Sequence, residues 1–152
     1  MCNGMQLPIR FAAVTVLAAA FFAGVPAVAQ APATFKARLS PVPIDAAMRT
    51  TVAGLGNATA TLLGTKLTVT GSFEGLRSPA TIAQIHTSVA AGVRGPVILD
   101  LTVSKAIGGM VTGSVDLTPA QVASLRKGQL YIQIHSEKAP DGNVQGWLEG
   151  TK

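Results

Sequence analysis

Leu130-Tyr131-Ile132-Gln133-Ile134-His135 alternates apolar and polar residues, and Ile82-Ala83-Gln84-Ile85-His86 uses the same device earlier in the chain. A period of two belongs to a β-strand, whose successive side chains point to opposite faces. In the later run Leu130, Ile132 and Ile134 share one face, and Tyr131, Gln133 and His135 share the other. In the earlier run Gln84 and His86 lie together, opposite Ala83, Ile85 and Thr87. The two runs carry the only two histidines of the 152 residues. With the isoleucines in a core, both imidazoles point outward or lie at strand ends beside loops.

Around these two strands, short alternating runs are separated by Gly, Pro, Asn or Asp at intervals of about eight to twelve residues, the spacing of an all-β domain. Phe35-Lys36-Ala37-Arg38-Leu39 alternates, with Phe35, Ala37 and Leu39 inward, and Pro41 and Pro43 end it. Residues 57–63 and 66–73 form a hairpin about Gly64-Thr65. Strands are expected over residues 80–89, 97–103, 110–117 and 144–148, with turns at Gly108-Gly109 and at Pro140-Asp141-Gly142-Asn143. Helix signals occur once: Thr118 as N-cap, Pro119 at the first helical position, Val122 and Leu125 three apart, and Gly128 where a C-terminal cap belongs. The pattern predicts an antiparallel β-sandwich of about eight strands, immunoglobulin-like or Cu,Zn-superoxide-dismutase-like in its Greek-key architecture, with one short helical strap.

Residues 1–29 read as a signal peptide. Arg10 is a short basic region, residues 11–24 are an uncharged apolar run of roughly fourteen, and Ala27-Val28-Ala29 supplies the small residues a signal peptidase reads. The run is short of the ~20 residues that span a bilayer, so no membrane span is expected after cleavage, and the address is secreted or periplasmic. Cys2 precedes the apolar run and is not placed for lipid attachment; Met5 is an alternative start. Residues 30–34 form a flexible Ala/Pro arm, and residues 35–152 form the domain. The whole chain has 12 Lys and Arg against 7 Asp and Glu, a net charge of +5. Loss of Arg10 leaves 11 against 7, or +4, and the only cysteine is lost as well. The mature domain therefore has no disulfide and depends on a single core. Its cations are scattered and its aromatics few, which excludes a nucleic-acid surface; weak attraction to anionic surface polymers is compatible with the charge.

The order of these features resembles the CHRD domain, a module first named in chordin. Phe35-Lys36-Ala37-Arg38-Leu39-Ser40, Pro43 and Gly56-Asn57-Ala58-Thr59-Ala60 are similar to its opening. Leu67-Thr68-Val69 through Phe73-Glu74-Gly75-Leu76 is similar to its second hairpin. Ala83-Gln84-Ile85-His86 resembles its Ala-His-Ile-His motif, and Leu130 to Ser136 its strand ending in His-Thr. Asp141-Gly142-Asn143-Val144-Gln145-Gly146-Trp147-Leu148 is similar to its closing Gly-Glu-Ile-Arg-Gly-Gln-Leu. The resemblance spans residues 34–148 and implies an extracellular β domain, often standing alone in bacteria, without implying an activity. Three positions depart from the pattern: Gln84 replaces a histidine, Asn143 a glutamate and Gln145 an arginine. Each change leaves a neutral amide where a charge or strong ligand stood.

Function is expected to be non-enzymatic. No nucleophile motif, phosphate loop, dinucleotide fingerprint or carboxylate cluster occurs. A dismutase-like enzyme is the least favoured reading, because the first histidine of the His-x-His pair is absent. The leading expectation is a binding or structural module with an extracellular protein or surface polymer as partner, using a sheet edge or the loops at 90–95 and 137–143. No cofactor is then expected. The alternative is copper or zinc held weakly at His86 and His135, with Gln84, Gln133 and Tyr131 as polar support, since neutral imidazole binds both metals. A shared patch containing both imidazoles favours the metal; imidazoles held apart, or hydrogen-bonded inside, favour the first reading. Trp147 is expected to be packed in its strand, with a carbohydrate or protein contact as the alternative. Asn57-Ala58-Thr59 fits the N-glycosylation pattern.

Overall fold

The computed structural model describes Met1 and residues 30–151; the expected signal peptide otherwise lies outside the described residues. Nine strands and one α-helix follow in order: β1 Ala33–Pro41, β2 Leu55–Leu63, β3 Lys66–Glu74, β4 Ala80–Thr87, β5 Val97–Val103, β6 Gly109–Asp116, α1 Pro119–Arg126, β7 Leu130–Ser136, β8 Ala139–Trp147 and β9 Glu149–Gly150. A 3₁₀ turn occupies Met48–Thr50. β1 begins at Ala33, so Ala33 and Thr34, expected in a flexible arm, are paired with Leu62 and Thr61.

The expected sandwich is corrected to a closed barrel. Neighbouring strands run in the order β2-β3-β6-β5-β4-β7-β8-β1, and β1 pairs again with β2. All pairings are antiparallel, and β9 adds a short extra strand beside β1. Two strands change partners part-way along. β1 pairs with β2 from Ala33 to Leu39 and with β8 at Ser40 and Pro41. β5 pairs with β4 from Val97 to Leu101 and with β6 at Thr102 and Val103. Strands that bend from one sheet into the other make the corners of such a closure.

The alternating residues fill the interior as expected. Phe35, Ala37 and Leu39 meet Ala58, Ala60, Leu62, Leu67, Val69 and Phe73 from one half, and Ala83, Ile85, Leu130, Ile132, Ile134 and Val144 from the other. Gly64 at φ 62° turns the two-residue β2–β3 loop. The helix is built as its signals predict. Thr118 and Gln121 form a reciprocal capping box, Pro119 opens the first turn, and Leu125 is fully buried against the barrel.

The segment Pro140-Asp141-Gly142-Asn143, expected as a turn, lies inside β8. Ile134 pairs with Val144 and Ser136 with Ala139, so these four residues stand opposite His135 alone. They form a wide bulge, and the turn is Glu137-Lys138. Turn and bulge demand the same residue types, because both take the backbone out of the ladder. Gly142 has φ 124° here.

Candidate functional site

The outer face of β4, β7 and β8 is polar by alternation, yet much of it is hidden. Tyr131 is 1% exposed, Gln133 3%, Gln145 5%, His86 6% and Asn143 0%. Three segments cover it. The loop 88–96 folds back over β4 and β7, the bulge 140–143 rises beside them, and the strap 42–53 lies against the bulge. Val42, Val52 and Ala139 form a small second core under that strap, with Met48 packed against it.

Hydrogen bonds hold each cover down. Tyr131 Oη accepts from the Gly95 amide at 3.1 Å and donates to the Gly95 carbonyl at 3.3 Å. Thr87 N donates to Pro96 O, and Ser88 N to Gln129 O. Arg94 reaches across to the Asp141 carbonyl in the bulge at 3.3 Å. Asn143 donates to Ser136 Oγ at 2.8 Å and accepts from the Ala53 amide at 3.1 Å. Gly95 has no room for a side chain, because a Cβ there would run into the Thr87 carbonyl. A Cβ on Gly142 would strike the Gln133 amide.

The two histidines meet on this face, His86 buried and His135 half-buried. His86 pairs with Tyr131 and His135 with Ile82, so they are not directly opposite. Their rings nevertheless lie 6.4 Å apart, centre to centre, with planes inclined by 26°. His86 Nδ1 lies 3.0 Å from the Gly95 carbonyl, and His135 Nδ1 lies 2.7 Å from the Pro140 carbonyl. A carbonyl only accepts, so both Nδ1 atoms carry the proton and donate. In the neutral rings both Nε2 atoms bear the lone pair, and both are buried with no hydrogen-bond partner. Burial, above all, pushes the His86 pKa below its usual value; the bond to Gly95 opposes this, and the neighbouring His135 and Arg94 lower it further. His86 is thus a neutral imidazole at pH 7.

Aromatic packing extends the site. His86 stacks on Tyr131 with ring centres 4.8 Å apart, and Tyr131 stacks on Trp147 at 4.9 Å. The supporting residues named from the sequence divide in two. Tyr131 shields His86 and anchors the loop over it. Gln133 donates to Gln145 Oε1 at 3.2 Å, and Gln84 to Asp100 at 2.8 Å, so these amides tie strands together. All three positions that depart from the family pattern, Gln84, Asn143 and Gln145, lie in this polar layer. Gly95 and Pro140, whose backbone carbonyls orient the rings, were not legible as site residues, because a backbone carbonyl carries no residue signal. Among the described residues, no cluster of three or more His, Cys, Asp or Glu is placed to hold a metal ion.

A shallow cleft of about 250 Å³ opens beside Trp147, with Lys36, Arg38, Gln145 and Glu149 in its lining. The Trp147 indole nitrogen is buried and unpartnered. No helix among the described residues is long and apolar enough to cross a membrane.

The family model for the CHRD domain matches residues 35–148. A comparison with curated proteins and one with solved structures each gave no match. The chain belongs to the CHRD domain family.

Proposed function

We propose that this CHRD domain is a secreted or periplasmic, non-enzymatic module that binds a transition-metal ion through His86 and His135. The observation that carries the reading is the pair of buried, unpartnered Nε2 atoms on rings 6.4 Å apart. A metal-binding imidazole characteristically donates its other ring N–H to a carbonyl or carboxylate, which fixes its tautomer. Gly95 and Pro140 supply that second contact to both rings. A buried acceptor left without a partner costs about 1–3 kcal/mol, and an ion shared by the two lone pairs removes that cost twice.

The test is a calorimetric titration of the protein with copper and zinc salts, beside His86→Ala and His135→Ala. Saturable one-to-one binding tighter than about 10 μM, lost in both variants, is expected. Binding untouched by either substitution would sink the proposal.

A second reading, binding of an anionic surface polymer, is supported by the cleft beside Trp147. Lys36 and Arg38 project from the same face of β1, and the indole N–H there lacks an acceptor. Retention on a sulfated-polysaccharide column, weakened by Lys36→Ala/Arg38→Ala and by salt, supports it. Elution at the same salt concentration with or without that double change removes it.

A further inference from the structure

We infer that the ion held by His86 and His135 is monovalent and two-coordinate, copper(I), with silver(I) as its redox-inert equivalent. The inference rests on the two-histidine reading and goes on to name the ion. Three observations lead there.

The first is the donor set. Structural zinc takes four protein ligands and catalytic zinc three, and copper(II) prefers a tetragonal set of nitrogen and oxygen donors. Here two imidazoles stand together, and no third His, Cys, Asp or Glu joins them among the described residues. The neighbouring amides are engaged, Gln84 with Asp100 and Gln133 with Gln145. A filled-shell monovalent ion is the transition-metal state that two nitrogen donors alone can satisfy.

The second is spacing. With nitrogen–metal bonds of about 2.0 Å and each nitrogen about 1.1 Å from its ring centre, two imidazoles joined end to end by one ion have centres roughly 6.2 Å apart. The observed 6.4 Å, with the ring planes inclined by 26°, matches that span in distance.

The third is charge. The cost of taking an ion out of water rises with the square of its charge, and a buried charge needs a partner. The rings sit under a loop carrying Arg94, whose positive charge is felt at His86. The acid tied into this face, Asp100, lies beyond Gln84 on β5. A divalent ion would meet that environment with no carboxylate beside it, whereas a single positive charge is spread over two neutral rings. Tyr131 and the loop 88–96 cover His86, and both Nε2 atoms are buried, which limits the water ligands that a higher coordination number would require.

The experiment is a competition titration of the purified protein under nitrogen with ascorbate, using a chromophoric copper(I) chelator, with silver(I) and zinc(II) titrations in parallel. Copper(I) and silver(I) are expected to bind one to one, and at least ~100-fold more tightly than zinc(II). His86→Ala and His135→Ala should each lose most of that affinity. X-ray absorption of the copper(I)-loaded wild-type protein should give two nitrogen neighbours, a readout independent of whether either variant folds. If zinc(II) matches copper(I) and still depends on both histidines, the metal site stands and the monovalent assignment is wrong. Three or four neighbours in the absorption spectrum overturn it as well. If no ion binds, both the site and the assignment fall, and a water molecule bridging the two nitrogens is the remaining account.

Discussion

His86 shows how a strand residue on the solvent side can be given the chemistry of an interior one. Its ring is covered by Gly95 and stacked on Tyr131, and its pKa is lowered chiefly by that burial, with His135 and Arg94 adding to the effect. The sign of the pH effect follows directly. In the metal-free protein the unfolded chain takes up a proton near the ordinary histidine pKa of about 6.5, while the folded chain resists until lower pH. Between those two values the unfolded state binds more protons, so stability falls as pH falls. Urea unfolding of the metal-free protein from pH 8 to pH 5 should show this loss beginning near pH 6.5, and His86→Gln should remove much of it. An unchanged slope in His86→Gln would assign the loss to other groups. Tyr131 offers a second test, because its hydroxyl makes both contacts to Gly95. Tyr131→Phe keeps the stack and should cost about 1–2 kcal/mol, with faster amide exchange in the loop 88–96. Exchange as slow as in the wild type would show that the loop is held by other contacts.

At the scale of elements, the site depends on two irregular segments more than on the strands beneath them. The loop 88–96 needs Gly95, whose backbone approaches Thr87 too closely for a side chain. Gly95→Ala should push the loop off β7, lower stability by roughly 1–3 kcal/mol, and weaken ion binding by releasing His86 Nδ1. Denaturant melts and the metal titration check both; wild-type affinity in that variant would contradict the positioning role given to the loop. The bulge depends on Asn143, which is fully buried between Ser136 and Ala53. Asn143→Ala leaves those partners unsatisfied and should cost about 2–3 kcal/mol, and a loss under about 0.5 kcal/mol would contradict that bridging role. The sequence was uneven as a guide here. Thr118, Pro119 and Gly128 each have one physical use at that spacing, so the helix was legible to within a residue or two. Pro140-Asp141-Gly142-Asn143 was legible as a break in the ladder, but a bulge and a turn ask for the same residues. What separated them was the pairing of Ser136 with Ala139, a long-range fact with no local mark.

For the whole molecule, what alternation could not reveal was closure. Inward residues at every second position suit a sandwich and a barrel equally well. The difference lies in two short registers, Ser40–Pro41 with β8 and Thr102–Val103 with β6. The meeting of the histidines was hidden for a related reason: His86 stands opposite Tyr131 and His135 opposite Ile82, and only the register and the bulge bring their rings together. Closure has an energetic consequence for the site. β4 and β7 lie within one continuous ring of strands around one core, so the histidines should separate only when the barrel opens. An ion that binds the folded state alone then stabilises the whole barrel, by about 2.7 kcal/mol at a free concentration one hundred times Kd. For a domain of this size each kcal/mol moves Tm by roughly 3–5 °C, so saturation should raise Tm by about 8–13 °C in a single transition. Calorimetry with and without the ion, on wild type and His135→Ala, makes the comparison. A rise confined to the wild type ties the ion to the histidine pair and the pair to the barrel. Two transitions, with the ion moving only one of them, would mean that the two halves of the barrel unfold separately and that closure at Ser40 and Thr102 contributes little to cooperativity.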